Sequence, residues 1–194
     1  SPNIKCMAFN PVVPFLSLVM NNRDHRKILV VDGHTGFNGG INLSDEYINV
    51  TSPYINDINI ANSSSLYIAD GLSTPDYVKI GAENSATVSI SSIDTREFKA
   101  EVFNSSDLSI GAITSVSTAM ECFNSAAVNI GNIISDDIKA EIFNSSRVSL
   151  DGIAAKTLKA ECYNTSSLKL AGNADKTMLE SYNSARIDAS GLKK

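Results

Sequence analysis

EVFNSSDLSIGAITSVSTAMECFNSAAVNIGNIISDDIKAEIFNSS, residues 101–146, carries the phrase Glu-x-Phe-Asn-Ser three times at intervals of twenty residues. Read outward, the asparagine recurs at Asn84, Asn104, Asn124, Asn144 and Asn164, and then after nineteen residues at Asn183. The last two copies of the phrase read ECYNTS and ESYNSA. A fixed period of this length marks a stacked repeat in which each unit forms one coil of a solenoid. Twenty residues do not accommodate a strand, a helix and two turns, and no helical periodicity is present. The expectation is an all-β fold, a parallel β-helix or β-solenoid of about six coils.

Aligning the units on the asparagine predicts two strands per coil. In the first, Ala100, Met120, Ala140, Ala160 and Leu179 share the inward face with Val102, Cys122, Ile142 and Cys162. Glu101, Glu121, Glu141, Glu161 and Glu180 alternate with them and face outward beside Lys99, Lys139 and Lys159. Such period-two alternation is that of a half-buried strand. The second strand stacks Val88, Leu108, Val128, Val148 and Leu168 in one column and Ile90, Ile110, Ile130, Leu150 and Leu170 in the next. Ile93, Ile113, Ile133 and Ile153 complete the core stripe, and Gly111, Gly131, Gly152 and Gly172 mark a bend. The asparagines fall at corners, where Asn tolerates left-handed backbone and bonds local groups, and stacked copies can bond one another along the axis. The sequons at Asn104, Asn144 and Asn164 follow from the repeat and need no glycan to explain them.

The column Phe103, Phe123, Phe143, Tyr163 and Tyr182 alternates with the buried set, so it faces outward or fills a corner. It is the candidate surface ligand ladder, with a packed, stiffening ladder as the plainer alternative. Stacked glutamates repel one another unless lysines intervene. Cys122 and Cys162 lie two coils apart, about 10 Å at strand spacing, beyond disulfide reach. They read as small buried apolar residues. No cofactor or metal site is expected.

Residues 55–194 resemble the GIN-type adhesin head domains of bacterial surface proteins, which form β-helices. The likeness rests on a short turn phrase recurring before an apolar strand, with Asn-Ser-Ser or Asn-Ser-Ala standing where the family has a Gly-Ser-Gly-like phrase, and on the closing ESYNSARIDASGL. It implies a location at the bacterial cell surface or in the periplasm; the expected partner, given the outward aromatic column, is a glycan or another surface protein. It brings no catalytic residues.

The N-terminal segment is different. Residues 25–42 read HRKILVVDGHTGFNGGIN: His-x-Lys, four residues, Asp, six residues, Gly-Gly-x-Asn. The wider stretch 5–49 is similar to the phospholipase D superfamily and, within it, to the bacterial cardiolipin synthases. A neutral histidine can attack a phosphodiester and hold the phosphoryl group. A lysine two residues along a strand shares its face and neutralises the non-bridging oxygens. The resemblance thus implies His25 as nucleophile or acid/base, Lys27 and Asn42 as phosphate ligands and Asp32 as support, with phospholipid as substrate and membrane association. A complete site in this family uses two such motifs. Only one is present, because His34 lacks a lysine two residues on. KILVVDG and GFNGGIN read as two strands of a hairpin, which alone is marginally stable.

The expected organisation is therefore residues 1–50 as a partial phospholipase D-like segment, a relic or a cap, and residues 51–194 as the solenoid. Three functions follow: a structural or adhesive solenoid without catalysis, a phosphatidyl-transfer enzyme anchored by the solenoid, and carbohydrate binding along the aromatic column. A charged fraction of 19 % and a net charge of −5, without broad basic clustering, speak against nucleic acid. The apolar run 12–20 contains a proline and is about half the length a membrane span requires. No signal peptide is visible, and the Ser-Pro start reads as that of a fragment or processed form.

Overall fold

The computed structural model describes residues 55–193 and the backbone of two strands that precede them. Those two are β1 (Lys27–Val31) and β2 (Thr35–Gly39), paired antiparallel as the expected hairpin. The solenoid follows as β3 (Asp57–Ala61), β4 (Ser65–Ile68), β5 (Leu72–Ser73), β6 (Tyr77–Glu83), β7 (Thr87–Asp94) and β8 (Glu97–Phe103). It continues through β9 (Asp107–Phe123), β10 (Ala127–Ile142), β11 (Arg147–Cys162), β12 (Ser167–Ser181) and β13 (Arg186–Lys193). The described residues contain no helix. Every pairing within the solenoid is parallel, and β2 joins it by pairing in parallel with β3, Thr35 opposite Asp57. The hairpin thus occupies the edge that β3 would otherwise leave open.

Each coil has three paired runs where the sequence suggested two strands. Between β9 and β10 the ladder holds from 107 to 110, from 112 to 115 and from 117 to 122, skipping Gly111 and Val116. The first bend coincides with the glycine column. A Cβ on Gly131 would lie 2.7 Å from the carbonyl oxygen of Gly111, so the coils approach too closely there for a side chain. The third corner is the asparagine. Asn104, Asn124 and Asn144 have φ of 53°, 54° and 49°, and the serine after each is also left-handed. With the bonds from Ser106 N–H to the Phe103 carbonyl and from Ser146 N–H to that of Phe143, this is the φ pattern of a type I′ turn. At Asn164 only the asparagine has positive φ. Its follower is Thr165, whose β-branched side chain resists the left-handed region, and at Asn183 the follower Ser184 also stays out of it.

Left-handed asparagines begin at Asn62, so seven corners are defined, one more than the strict twenty-residue count suggested. The first coil is longer, with Ile58 opposite Ile80 and Leu66 opposite Val88, each twenty-two residues on. The nineteen-residue interval to Asn183 also has a location. Leu150 pairs with Leu170, but Ile153 pairs with Gly172, so one residue is lost between them. Gly172 absorbs the slip with φ of 127°, where a Cβ would sit 2.3 Å from the backbone N and O of Ile153.

The inward columns named from sequence form one continuous core from Ile58 to Ala174. Leu179 is the exception, only partly buried beside the last coil. One inward column was not anticipated: Ser64, Ala86, Ser106, Ala126, Ser146 and Ser166, immediately after the asparagine turn, are all buried. Small side chains are what the tight corner can hold. Ser106 Oγ accepts from the Ala86 N–H at 3.1 Å, and Ser166 Oγ donates to the Ile142 carbonyl at 3.1 Å. Cys122 and Cys162 are fully buried free thiols, as their column position requires.

Candidate binding face

The third run of each coil turns a patterned face outward. Parallel in-register stacking brings residues twenty apart to about 4.8 Å, and alternate residues along a strand to the same side. Three columns result: a lysine column, a glutamate column, and the aromatic column that ends at the asparagine corner.

The lysines and glutamates neutralise one another. Lys99 lies 2.8 Å from Glu101 on its own strand and 3.1 Å from Glu121 on the next coil. Lys79 reaches Glu101 at 3.0 Å, while Lys139 and Lys159 each hold the glutamate two residues on at 2.6 Å. Lys99 spans two coils because Ala119 leaves a gap in the lysine column. Lys79 escaped the sequence reading, although the twenty-residue period alone places it opposite Lys99. Partial burial pushes the Glu101 carboxyl up, but hydrogen bonds from Lys99 and Lys79 and their charges outweigh it and hold it below the ordinary carboxylate range. The Lys99 ammonium is raised by its bonds to Glu101 and Glu121.

The aromatic column is a continuous stack. Phe103 and Phe123 have ring centroids 5.3 Å apart, Phe123 and Phe143 4.3 Å, Phe143 and Tyr163 4.6 Å, and Tyr163 and Tyr182 4.8 Å, with interplanar angles from 3° to 19°. The rings project outward and are half-buried by one another, except Tyr182, which is 43 % exposed. Stacking covers the ring faces, so solvent meets edges, and open faces remain only at the two ends. The Tyr163 hydroxyl donates to Glu161 at 2.5 Å, and that of Tyr182 donates to Glu180. The bond to Glu161 pushes the Tyr163 phenol up to about 12.

Beyond the rings runs a chain of amides. Asn104 Nδ2 donates to Asn84 Oδ1 at 3.0 Å, Asn124 to Asn104 at 3.0 Å, Asn144 to Asn124 at 3.1 Å, and Asn183 to Asn164 at 2.9 Å. Asn164 bonds Asn144 likewise, and Asn84 reaches Asn62 at 3.4 Å. Each asparagine thus fixes a turn with its backbone and the coil spacing with its side chain.

His25, Asp32 and Asn42 lie outside the described residues, and of Lys27 the structure gives only its backbone place at the start of β1. No group of His, Cys, Asp and Glu suited to a metal ion occurs among the described residues, and they include no helix long and apolar enough to cross a membrane.

The fold and this face define a parallel β-solenoid with a repetitive, ladder-built exterior. Residues 113–194 match the family described as "Putative auto-transporter adhesin, head GIN domain". Short N-terminal similarities point elsewhere. An uncharacterised protein of Streptococcus mutans is 63 % identical over 46 residues, 24 % of this chain and 10 % of that protein. A cardiolipin synthase of Geobacillus sp. is 52 % identical over 46 residues, 23 % of this chain and 9 % of the enzyme. Cardiolipin synthase 2 of Staphylococcus epidermidis is 55 % identical over 40 residues, 21 % and 8 % respectively. The chain spans about a tenth or less of the length of these curated relatives. No solved structure matches the chain. An adhesin-head match on a β-solenoid fits a surface-exposed structural or binding protein.

Proposed function

We propose that this protein is a non-catalytic solenoid of the bacterial cell surface that meets a glycan or another surface protein along the lysine–glutamate–aromatic face. The observation that carries the reading is the repetition of that face, coil upon coil, over one continuous apolar core: a recurring exterior engages a repetitive or extended partner better than a single small substrate. Stacking gives the aromatic column from Phe103 to Tyr182 a rigid rim of ring edges and phenols for such contact. The division falls near residue 50, with the preceding segment serving as the cap through β2. The test is binding to arrayed glycans and matrix proteins, before and after deletion of residues 1–50. Retention after deletion is expected; binding abolished by that deletion alone defeats the reading.

A second reading, phosphatidyl transfer at a membrane through His25 and Lys27 with Asp32 and Asn42 in support, draws on the N-terminal similarity to cardiolipin synthases. It requires a second motif from a partner or another segment. Turnover of phosphatidylglycerol that disappears in His25→Ala would establish this reading and overturn the first.

A further inference from the structure

The first run of each coil faces outward on another side of the solenoid, and there the charges do not cancel. Its two outward columns change character along the axis. One reads Thr87, Asp107, Ala127, Arg147, Ser167 and Arg186, the other Ser89, Ser109, Asn129, Ser149, Lys169 and Asp188. Across the last four coils this face forms a shallow groove of about 460 Å³, with Arg147, Lys169 and Arg186 among its lining. The floor is low because Ala127, Ser149 and Ser167 are small, and the long basic side chains stand above it.

Two features distinguish this groove from ordinary surface. Among the described residues Arg147, Lys169 and Arg186 form no ion pair, whereas Lys79, Lys99, Lys139 and Lys159 on the other face all do. They also concentrate positive charge on a chain whose net charge is −5. Asp188 is the one carboxylate in the groove; it is held below the ordinary range first by its bonds to Ser190 and lies more than ion-pair distance from Lys169, whose charge favours it.

The geometry points to a binding site for an acidic polysaccharide lying along the solenoid axis. Arg147 and Arg186 occupy the same column two coils apart, about 10 Å at strand spacing. A linear glycan with a carboxylate on every second sugar presents its charges at a comparable interval. Each guanidinium offers a planar pair of donors matched to a carboxylate. Lys169 sits between them on the neighbouring column, and the Ser149 and Ser167 hydroxyls and the Asn129 amide supply neutral partners for sugar hydroxyls. Each exposed ion pair is weak, so affinity depends on several contacts made together by one chain. This site stands apart from the lysine–glutamate–aromatic face and does not depend on it.

The experiment is biolayer interferometry of the full chain against hyaluronan, with neutral dextran and inorganic polyphosphate as comparators. Binding to hyaluronan is expected, weakening as salt is raised and absent for dextran. In Arg147→Gln/Arg186→Gln the affinity falls at least about tenfold, a loss near 1.4 kcal/mol. Lys156→Gln, at an exposed bend outside both faces where the lysine pairs with Asp136, leaves it unchanged. Both substitutions are at exposed side chains, and an unaltered circular dichroism spectrum confirms folding of the variants. Absence of hyaluronan binding, equal binding by the double variant, or tighter binding of polyphosphate would each overturn the assignment, the last by showing a general polyanion surface.

Discussion

Asparagine is chosen over glycine at the corners for two jobs that only one residue type combines. Glycine would enter the left-handed region more easily but has no amide to pass along the axis. Alanine has neither the tolerance nor the side chain. Asn124→Ala should therefore destabilise by about 1–2 kcal/mol, adding left-handed strain to a lost hydrogen bond. Asn124→Gly should cost less, since it relieves the strain and loses only the bond. Urea unfolding of both variants measures the order, and an alanine variant as stable as the glycine variant would contradict it. The buried cysteines make a second residue-scale case. Burial pushes the Cys122 thiol to about 12 and that of Cys162 to about 11, so neither forms thiolate near neutrality. Peptide mapping after iodoacetamide treatment at pH 8 should find both unmodified in the native protein and alkylated in urea.

At the scale of the element, the long strands and the aromatic stack enforce the same register. A one-residue slip in β10 would move Phe143's neighbours out of stacking and turn Ile138 and Ile142 to solvent. Phe143, between rings at 4.3 Å and 4.6 Å, is the most tightly stacked member. Phe143→Ala should lower stability by about 1–3 kcal/mol, more than Phe103→Ala at the stack's end, because two aromatic contacts are lost instead of one. Denaturant midpoints of the two variants provide the comparison. Much of this level was legible in the chain. Inward and outward residues followed from period-two alternation, and the corner followed from asparagine recurrence. The middle run did not, because Ala112–Ser115 is only a few residues long and its inward positions, Ile113 and Ser115, mix apolar with polar. Nor did the buried serine–alanine column, since small polar residues beside a turn look the same from sequence whether exposed or enclosed.

For the whole molecule, stability against pH follows from the lysine–glutamate face. Glu101 is held below its ordinary value of 4.5, so its contribution is present above that pH and is lost as pH falls through the depressed value. Lys99 is raised above 10.5, so its contribution is present below that pH and is lost as pH rises past the raised value. The melting temperature should be flat between these limits and fall at both ends. Glu101→Gln should blunt the acid fall, and a melting curve unchanged in shape would remove the face from the account. The groove on the other side was hidden from sequence reading because its basic residues are scattered at 147, 169 and 186 and meet only when coils stack.

The amide chain at the corner has one more property. Every Nδ2 points back toward the preceding coil and every Oδ1 receives from the following one, without a reversal from Asn62 to Asn183. The side-chain dipoles therefore add head to tail, as peptide dipoles do in a helix, and each bond polarises the next. The corner becomes an electrical arrow along the rod, its donor end toward Asn62 and its acceptor end toward Asn183. A coil stacked on this column is favoured in one orientation and opposed in the other, so the same residue that sets the spacing also gives the stack its direction.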